Sequence, residues 1–162
     1  MPRDPGLVTA ELASFACGLP QENLDGLAFL LMPDEVIRIA VLGRGERSQD
    51  KGSGYGEEKI YQKYDEVLLL LTDWRILERS YQHDRNGRWQ RRTSWSMLWQ
   101  RIEEFSGWEN EGTRWINAYL GYSADVYVRN HFWRYPSAVI DDKHFRDFIN
   151  VGQERVQRAW KI

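Results

Sequence analysis

The sequence predicts a mainly β domain of the α+β class, in which seven antiparallel strands form a partly open barrel or sandwich capped by a C-terminal α-helix. Three observations support this fold class. Short segments with strand-like alternation recur between residues 35 and 135, most turns between them are short, and residues 141–160 follow the 3.6-residue period of an amphipathic helix. The length of 162 residues fits about one domain.

Strands are expected where apolar residues alternate with polar ones or form a short buried run. The predicted strands are residues 35–42, 66–71, 74–82, 88–95, 101–108, 114–122 and 125–135. The strongest turn signal is Asn86-Gly87, because both residues accept the positive φ of a type I′ hairpin turn. Weaker turn signals are Thr72-Asp73, residues 110–112 and Ser123-Ala124.

Residues 1–31 are predicted as an N-terminal helical extension, and residues 32–162 as the main domain. Two short helices are expected, separated by Gly18-Leu19-Pro20, because apolar residues recur at helical spacing on either side of this break. Their apolar stripes are Val8, Leu12, Phe15 and Ala16, and then Leu24, Leu27 and Leu31.

The C-terminal helix is expected to begin at Asp141 or Asp142, either of which is a suitable N-cap, and to run to about Trp160. One face of this helix is apolar, so it must pack against other apolar residues. We expect the helix to plug an open end of the strand assembly through Phe145, Phe148, Ile149 and Val156.

Residues 43–64 are predicted as a long loop. They contain five glycines among charged residues and show no apolar period. A loop of this length exceeds the usual connections within a domain and is typically functional or mobile.

Four short segments resemble the bacterial pleckstrin-homology-like (PH-like) and GRAM-like domains. These segments are residues 32–38 (MPDEVIR), 67–77 (VLLLLTDWRIL), 98–102 (LWQRI) and 142–148 (DKHFRDF). The resemblance covers residues 32–160 and implies the pleckstrin-homology superfold, which has seven antiparallel strands and one C-terminal helix. Trp74 departs from the pattern, because these families usually have a polar or basic residue there. The superfold serves lipid binding, peptide binding and scaffolding, so it does not by itself select a function.

Composition and charge exclude several classes of protein. The chain has 22 Lys and Arg against 24 Asp and Glu, so a surface that coats nucleic acid or anionic lipid as a whole is not expected. The N-terminus lacks the apolar segment of a signal peptide, and no apolar run approaches the 20 or so residues that span a bilayer. We expect a cytoplasmic protein, with peripheral attachment to a membrane as an alternative.

Cationic residues on two predicted loops are candidates for binding a lipid headgroup. In phosphoinositide-binding pleckstrin-homology domains, the loops at these positions form the headgroup cradle, so the resemblance implies that role here for Arg44, Arg47, Lys51, Arg85 and Arg88. The first loop, residues 43–64, contains five cationic residues in all and four carboxylates, so its net charge is only +1. A solvated loop of mixed charge is the alternative.

Aromatic residues interleave with cations on two predicted strands. Trp89, Arg91, Thr93 and Trp95 share one face if their strand is regular. A second face carries the candidates for protein interaction, which are Tyr127, Arg129, Trp133 and Tyr135. This face is either an interface with a protein partner or a second copy, or part of the domain's own core; nucleic acid is a less favoured ligand.

No catalytic, metal-binding or cofactor-binding motif is recognisable. Gly52–Gly56 lacks the Lys-Ser/Thr of a phosphate-binding loop, and none of the three histidines lies at ligand spacing from another histidine or from Cys17. The sequence therefore predicts a non-enzymatic binding or assembly module that contacts another protein or itself. The alternatives are a membrane-surface module for anionic lipid headgroups and a small-molecule carrier or small barrel enzyme.

Overall fold

The computed structural model describes residues 3–50, 61–120 and 130–160, and of residues 49 and 50 it describes only the backbone. The described residues form three α-helices, seven strands and one short 3-10 helix, Trp99–Arg101. The helices are α1 (Pro5–Ala13), α2 (Gln21–Leu30) and α3 (Asp142–Trp160). The strands are β1 (Ile37–Asp50), β2 (Gln62–Thr72), β3 (Arg75–His83), β4 (Trp89–Leu98), β5 (Glu104–Asn110), β6 (Thr113–Tyr119) and β7 (Asn130–Pro136).

All seven strands belong to one antiparallel sheet with the order β4-β3-β2-β1-β7-β6-β5. The long strand β1 joins its two halves, because it pairs with β2 from Ile37 to Arg47 and with β7 from Glu46 to Asp50. The sheet is not closed, and β4 and β5 are its edges in the described part of the chain. This open antiparallel sheet, with its C-terminal helix and its N-terminal helices, confirms the predicted fold class.

Strand β1 corrects the first part of the predicted loop from residue 43 to residue 64. The strand continues to Asp50, β2 begins at Gln62, and residues 51–60 of the predicted loop lie outside the described residues. No apolar period marks the start of this stretch because glycines occupy positions where other side chains come close to the backbone. A Cβ atom on Gly43 would lie 2.1 Å from Cγ1 of Val139, and one on Gly45 would lie 3.1 Å from Cδ1 of Tyr135.

Helix α3 covers one face of the sheet and encloses the first core. Its residues Phe145, Phe148, Ile149 and Val156 are buried there, as the sequence predicts. The helix lies close to β5, since a Cβ atom on Gly152 would be only 2.2 Å from the ring of Phe105. Other members of this core are Ile39, Val41, Val67, Leu69, Leu71, Trp99, Phe105, Ile116, Trp133 and Tyr135.

Helices α1 and α2 cover the opposite face of β1, β2 and β3 and enclose a second core. Val8 and Leu12 of α1 and Leu24 and Leu27 of α2 are buried against it, as the predicted stripes require. The first stripe is wrong at its end, because Phe15 and Ala16 lie beyond α1 and Ala16 is exposed. From the sheet, this core takes Ala40, Leu68, Leu70, Leu77 and Tyr81. Strand β2 is therefore buried on both faces, which explains its uninterrupted apolar run from Val67 to Leu71.

One hairpin turn differs in type from the prediction, and a second one is found where a weaker turn signal predicts it. In the turn between β3 and β4, Gly87 has a positive φ of 77° but Asn86 does not. The N–H of Gly87 bonds to the carbonyl of Asp84, so this hairpin has a type I turn followed by a left-handed glycine, not the predicted type I′ turn. Between β5 and β6, both Glu111 (φ 51°) and Gly112 (φ 75°) have positive φ, as a type I′ turn requires.

None of the helices in the described segments is long and apolar enough to cross a lipid bilayer.

Candidate functional site

The five cationic residues predicted to bind a headgroup lie in different environments. Arg44 and Arg47 belong to β1 and not to a loop. Because side chains alternate along a strand, two residues that are three positions apart face opposite sides of the sheet. Arg44 is exposed, whereas the side chain of Arg47 is only 12% exposed and its Nε lies 3.8 Å from Oε2 of Glu78. Lys51 lies outside the described residues.

Arg85 and Arg88 occupy the hairpin between β3 and β4, where both are exposed. The guanidinium of Arg88 donates a hydrogen bond of 3.1 Å to the carboxylate of Glu22 in α2, so its charge is already paired. Arg47 points into the fold and Arg88 towards the N-terminal helices. The described residues therefore do not gather these cations around one site.

The predicted protein-interaction face lies partly outside the described residues and partly in the core. Tyr127 and Arg129 are outside the described ranges. Trp133 and Tyr135 are both 0% exposed and belong to the core beneath α3. Their rings are packed inside the fold, so these two residues do not contribute to a surface that contacts a partner.

The aromatic residues of β4 do not share one face. The pairing between β3 and β4 shifts by one residue, since Ser80 lies opposite Thr93 but Tyr81 lies opposite Arg91. This β-bulge reverses the alternation, so that Trp89 packs against the core of the N-terminal helices and Trp95 against the other core. The predicted common face of Trp89, Arg91, Thr93 and Trp95 is therefore wrong.

A polar cluster lies in the interior next to Trp95. Glu78 is fully buried and accepts hydrogen bonds from the hydroxyl groups of Ser80 and Thr93. The ring of His131 lies 4.1 Å from that of Trp95, and burial, followed by the nearby charge of Arg47, lowers the pKa of His131 to about 3. This histidine is therefore a neutral packing residue near pH 7.

The thiol of Cys17 is buried, with 2% exposure, and burial raises its pKa to about 12. A thiol with this pKa is protonated near neutral pH and is a poor nucleophile.

A pocket of about 950 Å³ opens where β1 passes from β2 to β7. Its lining includes the cations Arg44, Lys63 and Arg134 and the carboxylates Glu46, Asp65 and Glu66. The carboxylate of Glu46 pairs with both Arg134 and Lys63, and the guanidinium of Arg134 also lies 3.6 Å above the ring of Tyr61. The charges of the pocket are largely paired with one another, which disfavours it as a site for a strongly anionic headgroup.

Five large apolar side chains are exposed together around the turn between β2 and β3. We call them the turn-end patch, and they are Leu30 (39% exposed), Met32 (47%), Val36 (37%), Trp74 (37%) and Leu98 (50%). The segments that carry them meet at this turn: the side chain of Arg75 donates to the carbonyl of Leu30, the backbone of Arg75 lies opposite that of Leu98, and the N–H of Asp73 donates to the carbonyl of Val36. Exposed apolar side chains are ordinary when scattered, but a contiguous group marks a contact surface.

A buried ion pair holds the turn-end patch in place. The carboxylate of Glu35 is fully buried and accepts hydrogen bonds from Nε and Nη2 of Arg75 at 2.9 and 3.0 Å. It also accepts from the hydroxyl of Thr72 and from the backbone N–H of Met32. Burial raises the pKa of Glu35, but the hydrogen bonds from Arg75, Thr72 and Met32 outweigh it and keep the pKa below its ordinary value of 4.5. The network ties the end of α2 to the β2–β3 turn.

The sequence contains one signal for this surface, which is Trp74. This large aromatic residue directly follows the Thr72-Asp73 turn signal, and it lies at the tip of the turn. Leu30, Met32 and Val36 lie close together in the sequence, but Trp74 and Leu98 lie far from them. Only the folded chain brings them to one place.

The two edges of the open sheet carry opposite charges. On β4, Arg91 and Arg92 are exposed, and on β5, Glu104 and Glu109 are exposed. Charged side chains on edge strands oppose unspecific pairing with other chains. The edges are therefore less suited to apolar contact than the turn-end patch.

Neither a protein-family model nor a curated protein matches this sequence. The function has to be argued from the site itself.

Proposed function

We propose that this chain is a non-enzymatic binding module that contacts another protein, or a second copy of itself, through the turn-end patch. The observation that carries the proposal is the exposure of Leu30, Met32, Val36, Trp74 and Leu98 around one turn. Contact with a protein removes this apolar surface from water, at about 25 cal/mol for each Å² buried.

The composition and rigidity of the turn-end patch favour a protein partner. Tryptophan is enriched among the residues that contribute most to the free energy of protein binding, and Trp74 lies among aliphatic side chains of the kind that surround such residues. The buried hydrogen bonds between Glu35 and Arg75 fix the backbone beneath. A surface that is already ordered loses less conformational entropy on binding.

The described titratable groups support a role in binding over one in catalysis. His131 is buried and neutral, Cys17 is a buried thiol, and Glu78 is fully buried with hydrogen bonds from two hydroxyl groups. The scattered positions of Arg44, Arg47 and Arg88 also favour a protein partner over a lipid headgroup.

The first test is the molecular mass in solution, measured by light scattering across a wide range of protein concentration. If the partner is a second copy, we expect the mass to rise above the 19.2 kDa of one chain as concentration increases. The double variant Trp74→Ser, Leu98→Ser should remain monomeric. Leu7→Ser is the matched control, because Leu7 is 58% exposed on α1 outside the turn-end patch.

A monomeric mass at every concentration would exclude self-association and leave a different protein as partner. Site-specific photocrosslinking then tests the proposal: a crosslinking amino acid at position 98 should give a defined protein adduct in cells, and one at position 7 should not. Absence of both a mass change and an adduct specific to position 98 would refute the proposal.

A further inference from the structure

Arg79 is a buried cation on the sheet face that α2 covers. It is 8% exposed, and its Nε and Nη1 atoms are buried without a hydrogen-bond partner. Among the described residues, the side chain of Arg79 forms neither a hydrogen bond nor an ion pair. Burial of a guanidinium is costly unless it is paired, and buried arginines in proteins normally have a carboxylate or several carbonyl groups as partners.

The groups around Arg79 add donors and positive charge. Tyr81, two residues further along β3, has a buried hydroxyl group that also lacks a partner. Arg91 lies opposite Tyr81, and cross-strand partners share a face of the sheet, so the β-bulge of β4 brings a second cation to this side. Burial is the main cause that lowers the pKa of Arg79; the charge of Arg91 also lowers it, whereas Tyr81 and Glu78 act in the opposite direction.

The carboxylates nearby are used elsewhere. Glu78 is adjacent to Arg79 in sequence, but it points to the opposite face of β3, where Ser80 and Thr93 donate to it. Glu22 of α2 pairs with Arg88 in the hairpin. The described part of the chain therefore supplies no counter-ion that contacts Arg79.

Gly26 of α2 lies beside this cation. It is an exposed residue in the middle of the helix, and a Cβ atom placed on it would lie 3.8 Å from Nη1 of Arg79. Glycine weakens a helix at such a position, and here no close packing contact requires it. A larger side chain at position 26 would extend over the guanidinium.

We propose that Arg79, Tyr81 and Arg91 form a binding site for a small oxyanion, a phosphate or a carboxylate, between α2 and the sheet. A guanidinium donates charge-assisted hydrogen bonds to such oxygens, and the tyrosine hydroxyl adds a neutral donor. The oxyanion supplies the counter-charge that the described residues do not. The site lies on the face of the sheet covered by α2, and it does not rest on the proposed role of the turn-end patch.

The test is thermal unfolding of the whole chain while inorganic phosphate is titrated at constant ionic strength, with chloride as the reference anion. Phosphate should raise the unfolding temperature of the wild type in a saturable manner. At 100 times the dissociation constant, the ratio of folded to unfolded protein rises about 100-fold. Parallel titrations with acetate distinguish a carboxylate ligand from a phosphate ligand. Stabilisation by either anion supports the site.

Two variants locate the response. Arg79→Met removes the charge while keeping an unbranched side chain of similar size, and Gly26→Leu places a large side chain that favours helix beside the guanidinium. Both should abolish the stabilisation by the oxyanion, and Arg79→Met should be at least as stable as the wild type in buffer without oxyanion, because an unpaired buried charge is gone. Arg85→Met is the control: this exposed hairpin arginine should leave the response unchanged.

The proposal is overturned if neither phosphate nor acetate stabilises the wild type more than chloride does. It is also overturned if Gly26→Leu or a folded Arg79→Met responds as strongly as the wild type. These results leave the turn-end patch untouched, because mass in solution and crosslinking are separate measurements.

Discussion

His131 shows how one buried side chain links folding to pH. Burial, and then the charge of Arg47, holds the pKa of this imidazole at about 3 in the folded protein, whereas an unfolded chain binds the proton near pH 6.5. Between these two values the unfolded state binds more protons than the folded state. Folding stability contributed by the neutral imidazole is therefore fully present above pH 6.5 and is lost as the pH falls towards 3.

This linkage predicts the effect of His131→Phe on the pH dependence of stability. From pH 6.5 to pH 4.5, the wild type should lose up to about 1.4 kcal/mol of unfolding free energy per pH unit through this residue. The variant should lack most of that slope, because phenylalanine fills the place beside Trp95 and does not titrate. Urea denaturation at several pH values measures both slopes.

His83→Phe serves as the control for this experiment. The side chain of His83 is 38% exposed at the end of β3, and the variant retains the buried His131. We expect it to keep the slope of the wild type. An equal slope in wild type and His131→Phe would show that His131 does not carry the linkage.

At the scale of elements, α3 contributes to stability mainly through the rings on its inner face. Phe148 is fully buried, with 0% of its surface accessible to solvent, and its ring lies 6.1 Å from that of Phe105. The helix is polar on its other side, so it has no second surface on which to pack. Removing one ring from its inner face leaves a cavity that the rigid sheet cannot fill.

We therefore expect Phe148→Ala to lower the free energy of unfolding by about 3 to 5 kcal/mol. Phe29→Ala is the matched control: it makes the same change on α2, where the ring is 73% exposed, and should alter stability by no more than about 0.5 kcal/mol. Chemical denaturation of both variants checks the difference. A loss below about 1 kcal/mol for Phe148→Ala would contradict the packing of α3 described above.

At the scale of the whole molecule, the two cores are joined through one strand. Leu69 of β2 belongs to the core under α3, and its neighbours Leu68 and Leu70 belong to the core under α1 and α2. Loss of either helical layer exposes one face of the same strand. The layers should therefore unfold together and not as separate units.

This arrangement predicts one cooperative unfolding transition. Leu27→Ala in the second core and Phe148→Ala in the first should each lower the midpoint of that single transition, because both side chains are fully buried. Differential scanning calorimetry measures this midpoint, and circular dichroism and tryptophan fluorescence should give the same transition. A separate early transition moved only by Leu27→Ala would mean that the N-terminal helices are an independent layer.

The sequence by itself determined the elements whose pattern is local and regular. The apolar face of α3 and the stripes of α1 and α2 follow from helical spacing, and the run from Val67 to Leu71 identifies a buried strand. Hairpin signals gave the antiparallel order of neighbouring strands. In each case the residues that specify the element lie within a few positions of one another.

Only the tertiary structure decided features that depend on what lies opposite a residue. No apolar alternation marks the continuation of β1, because Gly43 and Gly45 lack side chains and the apolar contacts at those positions come from Val139 and Tyr135. Alternation along β7 places Trp133 and Tyr135 on one face, but it does not distinguish core from interface, since both require the same residues. The turn-end patch and the unpaired Arg79 arise from segments far apart in the chain, and local periodicity carries no information about which of these segments meet.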